Sequence, residues 1–518
     1  MSPIATALRA VSAAIAVAVL ALAASAALPG AASAQAAKDP RVKEVTVEAK
    51  SFLVGDPTPA WVEPVAMPAT AEKFPVVSRL IDTQYLIDQT ISVYTRRALT
   101  INDAASLTKA GQVLIPFVPA YHLVKLHAVR VLRGTEVLDR TSTASIRFFQ
   151  RETGLEQGVY SGEVTAAILV NDLRVGDTLE VAYTRQGQNP VFGSKLIDFT
   201  SWDQAYPSLY RRVALTAPAD RPIAWRMLGG GSAKTPKPTE TIAAGTRRLV
   251  FEEHSLSNVQ PEPFTPPEHN PYRYLQFSEF ASWDDVVAWA QRLFHVEDDA
   301  TASELGEWIA RLREKKTDAE RVVAALELVQ SEIRYFSVSL GESSHRPAAP
   351  GLVLQRRYGD CKDKSLLLMA LLRALGIEAN PVLLAVNYRR GLDKALPSPA
   401  LFNHVIVAVK LDGKIHYLDP TRLGQHGALD RLGQAHAHTQ VLPIVAGSHG
   451  LVIIPEPKSR EVRSEVVESA TLPSFTEDGE LRVRQTWRGV AAEAVRVMQQ
   501  HLPREQLWKS YNDAMESR

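Results

Sequence analysis

Cys361, His404 and Asp419 are the residues of this chain whose types and spacing could perform nucleophilic acyl transfer. Cys361 is the single cysteine among 518 residues, so it has no partner for an intrachain disulfide. It stands in Tyr358-Gly359-Asp360-Cys361-Lys362-Asp363-Lys364-Ser365. Asp360 is suited to cap a helix, Asp363 follows three residues on as in a capping box, and Leu367, Leu371 and Leu375 recur at helical spacing until Gly376. Cys361 is therefore expected in the first turn, where free backbone N–H groups and the helix dipole favour a thiolate. Free cysteines are often plain buried apolar residues, but flanks of Asp, Lys, Asp and Lys favour a nucleophile here.

A cysteine nucleophile needs a base, and the base needs an orienting group. The segment Asn403–Leu411 reads as a strand, Asp412-Gly413 as a two-residue turn, and Lys414–Asp419 as the returning strand. With that turn Leu411 faces Lys414, Ile406 faces Asp419, and His404 lies two residues away on the same face as Asp419. Such diagonal neighbours are about 7–8 Å apart at the backbone, within reach of an imidazole and a carboxylate. His416 falls on the other face, and a three-residue turn would break the pairing. The backbone N–H of Cys361 is a natural oxyanion donor, with Gln355 or Tyr358 as the second if the loop folds back. Upstream, Trp283–Phe294, Ala302–Arg313 and Ala319–Tyr335 read as helices, the last capped by Asp318 with Val322, Leu326, Val329 and Ile333 as its core stripe. The loop 341–350 carries His345, expected to be solvated.

The segments YLQFSEFASWDDVVAWA, SEIRYFSVSLG, RRYGDCKDKSLLLMALLRALGIEA and FNHVIVAVKLDGKIHYLDPT resemble transglutaminase-like proteins, in the order Cys, His, Asp of a papain-like site. The resemblance implies that Cys361 is the nucleophile, His404 the base that later protonates the leaving amine, and Asp419 the group that fixes the histidine tautomer. It implies an α+β papain-like domain at 273–455. In crosslinking animal enzymes an aromatic residue follows the cysteine, whereas Lys362 stands here. The expected activity is cleavage or transfer of an amide acyl group of a peptide or protein through a thioester, with hydrolysis favoured because nothing obviously supplies an acceptor tunnel. The alternative is an inactive papain-like scaffold or envelope-binding protein.

The rest of the chain supplies the setting. At about 150 residues per domain, the chain has room for roughly three domains, and 46% hydrophobic residues can fill their cores. Lys plus Arg number 58 against 57 for Asp plus Glu, so no charge excess points to nucleic acid or an anionic membrane. Residues 1–34 read as a signal peptide, with Arg9 before an Ala/Val/Leu-rich run and Ala32-Ser33-Ala34 for cleavage. An exported chain, periplasmic or extracellular, without a transmembrane segment after cleavage, is the expectation. Residues 35–75 read as a linker or edge segment. From 76 to 253 short strands of alternating Ile, Val and Tyr with polar residues read as an antiparallel β-sandwich. Here VKLHAVRVLRGTEVLD, VYSGEVTAAILVNDLRVGDTLEVAYTRQG and NPVFG resemble the exported bacterial domain of unknown function DUF3857, which implies architecture and no chemistry. This sandwich is the candidate surface for a cell-envelope protein or glycan. His122 and His127 are expected as core or solvated histidines. A Pro-rich linker spans 254–272. His426, His436 and His438 form a loose cluster without carboxylate or cysteine at ligand spacing, so neither metal nor cofactor is called. Residues 456–518 read as the start of a C-terminal β domain, short of the strands needed to close it, and hence as a fragment.

Overall fold

The computed structural model describes residues 42–516 except 71–72, 152–158, 297–302, 449, 457–463 and 475. The expected signal peptide at 1–34 lies outside the described residues. The described residues divide into two units, the larger formed by 42–421 with 436–456 and the smaller by 422–435 with the described part of 464–516.

The larger unit begins with the expected β-rich region. Strands Val76–Ile87 and Ile91–Ile101 form a hairpin at the middle of a nine-stranded sheet. Thr178–Gln186 and Leu123–Arg133 extend it on one side, Ser208–Pro218 and Thr246–Leu256 on the other. A four-stranded sheet packs on one part, sharing a core that includes Phe52, Ile101, Phe117, Leu126, Ile168 and Leu179. The three-stranded sheet Ile197–Ser201, Tyr274–Ser278, Ala224–Leu228 packs on another, through Tyr85, Trp202, Leu215, Phe251 and Phe277. Within the nine-stranded sheet two described pairs are parallel: Ser208–Pro218 with Val76–Ile87, and Phe52–Val54 with Leu123–Arg133. Parallel neighbours need long crossovers, and here more than a whole sheet of chain lies between the first pair. The strand Tyr274–Ser278 lies beyond the Pro-rich bridge in sequence, yet it is the middle strand of the three-stranded sheet. His127 is a satisfied core histidine, bonded to Thr184 Oγ1 at 2.7 Å and Asp56 O at 2.8 Å.

Helices Trp283–Leu293, Gly306–Arg313, Asp318–Glu332, Pro350–Arg356 and Cys361–Ala374 follow. They accompany an antiparallel five-stranded sheet in the order Lys414–Leu418, His404–Leu411, Glu378–Leu384, Gln440–Pro443, Val452–Ile453. Helix Cys361–Ala374 is buried from Lys362 to Leu372 and is pinned to the sheet by Ser365 Oγ donating to Val405 O at 3.1 Å. The helix expected over 319–335 ends at Glu332 instead, and its N-cap is Thr317, which shares a capping box with Glu320. Arg334–Tyr335 leave the helix to pair in parallel with Tyr358–Gly359, an exchange that satisfies both backbones beside Cys361.

The two regions of this unit share backbone contacts. Ser337–Val338 pairs in parallel with Val159–Tyr160, and Trp289 Nε1 donates to Val191 O at 2.9 Å. Gln276 and Leu396 exchange reciprocal bonds of 2.9 and 2.8 Å. In the smaller unit, Ser464–Thr471 and Glu480–Trp487 form an antiparallel hairpin, followed by helices Gly489–His501 and Arg504–Glu516. Buried Glu493 is paired with Arg422 and takes Gln425 Nε2 at 3.2 Å. Among the described residues no helix is long and apolar enough to cross a membrane.

Candidate active site

Cys361 is the first residue of its helix and is half-buried. The capping box expected from Asp360 and Asp363 is present, each side chain accepting the other's backbone N–H at 3.4 Å. Asp360 is further held by Lys362 Nζ and by Ser337 Oγ, the latter at 2.7 Å. Asp363 is held by Arg356 at 2.5 Å and by the Ala348 N–H at 2.8 Å. A Cβ at Gly359 would come 2.7 Å from Asp363 Cβ, so the residue before the cap must lack a side chain for the box to close.

The hairpin has the register expected from its turn. Leu411 faces Lys414 and Val407 faces Leu418, and Asp412 and Gly413 both adopt positive φ, at 49° and 72°, as a type I′ turn requires. His404 opens one strand and Asp419 directly follows the other. His404 Nε2 lies 3.0 Å from Asp419 Oδ2. The Thr421 N–H and hydroxyl donate to Oδ1 at 2.9 and 2.7 Å, and Gln330 Nε2 anchors the Asp419 backbone carbonyl at 3.0 Å. With Nε2 engaged by Asp419, Nδ1 is the nitrogen left to serve Cys361, whose side chain interacts with the imidazole.

The electrostatics follow from these contacts. Burial alone would depress His404, but its hydrogen bonds and charge interactions with Asp419 and Cys361 push it up to about 10. Burial would raise Asp419, yet His404 and His436 hold it well below the usual carboxylate range.

Further residues complete the site, and sequence reasoning had not assigned them. Tyr335, on the strand beside Gly359, interacts with Cys361 through its phenol. Burial and the nearby Cys361, Asp360 and Asp419 push that phenol well above its ordinary pKa. Of the two residues considered as oxyanion donors, Gln355 is exposed and the Tyr358 ring packs edge-on against Phe336 under the Arg356 guanidinium. No local signal marks Tyr335 in the sequence, because helical spacing continues through Ile333 and the strand arises by pairing with Tyr358–Gly359. His436 Nε2 reaches Asp419 Oδ2 at 2.8 Å. The loose histidine cluster is thereby divided: His436 joins the site, His438 pairs with Glu456 at 3.6 Å, and His426 is exposed. His345 is not a solvated loop residue, because Phe192 and Trp289 pack on it with ring centroids at 4.9 and 5.6 Å; burial and Lys362 lower it to about 4. Among the described residues, His404, Asp419 and His436 could also present three ligand atoms to a metal ion, all within 4.8 Å of one another.

This combination of a cysteine at a helix start with histidine and aspartate on a following hairpin defines a papain-like site on a transglutaminase-like fold. Residues 306–420 match the model of the transglutaminase-like superfamily, and residues 88–260 that of DUF3857, a domain of unknown function. The chain is thus a DUF3857-containing protein with a transglutaminase-like domain, and that domain includes Cys361, His404 and Asp419. A crystal structure described as a "putative protease" from Parabacteroides distasonis is similar in fold, with a TM-score of 0.59, 16% identity, and coverage of 74% of this chain and 72% of that one. A "putative cysteine protease" from Cytophaga hutchinsonii is 12% identical over 57% of this chain and 89% of its own, with a TM-score of 0.22 that carries no structural argument. No curated protein matches this chain.

Proposed function

We propose that the protein is an exported cysteine enzyme that opens an amide bond of a peptide or protein through a Cys361 thioester and resolves that thioester with water. The observation that carries this reading is His404 bonded to Asp419 at 3.0 Å and interacting with Cys361 at the start of the helix. The Cys361 sulfur attacks the amide carbonyl, and the resulting oxyanion is met by the Cys361 N–H with the Tyr335 hydroxyl as the second donor. His404 Nδ1 gives its proton to the leaving amine as the C–N bond breaks, leaving a thioester and a neutral imidazole. Water then attacks the thioester, His404 takes its proton, and the acid departs as the thiolate–imidazolium pair is restored. Asp419 stays ionised throughout and keeps Nε2 protonated. Hydrolysis is favoured over crosslinking because Lys362 stands where the crosslinking animal enzymes have an aromatic residue, and it is turned into an ion pair with Asp360.

The test is the rate of Cys361 alkylation by iodoacetamide against pH, in the folded protein and in His404→Ala. Labelling of the wild type should persist well below pH 8.5, the approximate pKa of an ordinary thiol, and the substitution should move the profile upward. Labelling only after unfolding, or identical profiles, would sink the enzyme reading and favour a scaffold.

A further inference from the structure

We propose that His436 is a positioning residue of this site, the second imidazole that fixes Asp419 and through it the proton on His404. The inference rests on the cysteine-enzyme reading above. Asp419 is only 6% exposed, and a carboxylate has about four acceptor positions. All are used: Thr421 fills Oδ1 with its N–H and hydroxyl at 2.9 and 2.7 Å, while His404 Nε2 and His436 Nε2 share Oδ2 at 3.0 and 2.8 Å. Thr421 tethers Oδ1 alone, so the side chain could still pivot at that oxygen and displace Oδ2. His436 adds a second tether to Oδ2 beside His404 and so restricts that pivot.

His436 is itself anchored. Its carbonyl accepts the Thr439 N–H at 3.2 Å, and the next turn is tied to Ile454 by bonds of 2.8 and 3.0 Å from His438 and to Thr439. The neighbouring strand Gln440–Pro443 belongs to the sheet that carries His404. Three separate segments, at 404, 419–421 and 436, therefore converge on one carboxylate. The ring centroids of His404 and His436 are 5.8 Å apart, so the two imidazoles approach the shared oxygen from different directions without stacking. The titratable and charged groups facing the His404–Asp419 pair are Cys361 and Lys364 of the helix, Tyr335 of the adjoining strand and His436.

The experiment is the pH profile of Cys361 alkylation in wild type, His436→Ala and His436→Gln, each checked for its melting temperature. Wild-type labelling should rise in two steps, the upper one near pH 10 where His404 releases its proton. In His436→Ala the misaligned His404–Asp419 bond should lower that upper step by about one pH unit, as expected when a hydrogen bond to a charged group weakens, and this must outweigh the opposite pull of an Asp419 relieved of its second donor. His436→Gln can still donate an amide N–H to Oδ2, and it should restore the step even if its melting temperature resembles that of the alanine variant. An upper step that is unmoved or raised in His436→Ala, or lowered equally in both variants, overturns the positioning role while leaving the enzyme reading intact. Absence of labelling below pH 8.5 in the wild type overturns both.

Discussion

Asp419→Asn removes the charge that holds the His404 proton while keeping the side chain's shape. His404 is held at about 10 against an ordinary value near 6.5, and burial acts to lower it. Without the carboxylate the larger part of that rise is lost and only Cys361 still raises the imidazole, so it should fall towards its ordinary value by up to about three pH units, or on the order of 4 kcal/mol. Solvent screening reduces this little, since the two side chains are 12% and 6% exposed. The asparagine NH2 also cannot accept the Nε2 proton, so it favours the wrong tautomer.

At pH 6 an isolated thiol with a pKa near 8.5 is about one part in 300 thiolate. The wild-type pair should label at its plateau there, and Asp419→Asn should label roughly a hundredfold more slowly, with the gap closing towards pH 10. Iodoacetamide incorporation followed by intact mass reads both rates, and circular dichroism confirms that the variant is folded. A folded Asp419→Asn protein that labels at the wild-type rate at pH 6 would refute the electrostatic account of the site. The pair also has a stability signature. The raised His404 contributes stability that is complete below about pH 6.5 and lost as pH rises through about 10. The depressed Asp419 contributes stability that is present above about pH 3.9 and lost as pH falls. Asp419→Asn should flatten both limbs.

Tyr335→Phe removes a phenol that interacts with Cys361. It should leave the alkylation profile within a few-fold of wild type but slow acylation by a peptide p-nitrophenyl ester about a hundredfold, as expected for a lost oxyanion donor; equal slowing of both reactions would argue against that role. Lys364 is 1% exposed, donates to Ile333 O at 2.6 Å, and is lowered by burial to about 8 despite the opposing pull of Asp419. Between about pH 8 and 10.5 the unfolded chain holds this proton and the folded one does not, so stability should rise with pH by up to about 3 kcal/mol relative to Lys364→Met. Urea midpoints of both proteins at pH 7.5 and 10 measure this, and an unchanged difference would refute it.

The parts of the site that could be read in the sequence are those set by near neighbours. A capping box spans three residues, so Asp360 and Asp363 announce where the helix of Cys361 begins. A two-residue turn sets strand register, so Asp412-Gly413 fixes which residues share the face of His404. What was missed depends on distant partners. Apolar residues at helical spacing continued through Ile333, and only pairing with Tyr358–Gly359 turns Arg334 and Tyr335 into a strand. The Pro-rich bridge suggested a break before Tyr274, while the vacancy between two strands ending at Ser201 and Leu228 draws that segment into their sheet.

The same distinction explains how the β-rich region bears on the site. No nucleophile cluster is legible in its sequence, and its contribution is made through the backbone. Val159–Tyr160 pairs with Ser337–Val338, Ser337 Oγ holds Asp360, and Asp360 caps the helix that presents Cys361. Asn189 adds bonds to Gly341 O and Ser344 Oγ at 3.0 and 2.9 Å, and Ser344 in turn holds His345 Nδ1 at 2.7 Å. A strand contact of this kind needs no particular side chain at Val159 or Tyr160, which is why residue types gave no sign of it. The helix start is therefore fixed from both sides, by its own capping box and by a strand that the β-rich region supports, so the position of Cys361 depends on residues far from it in sequence.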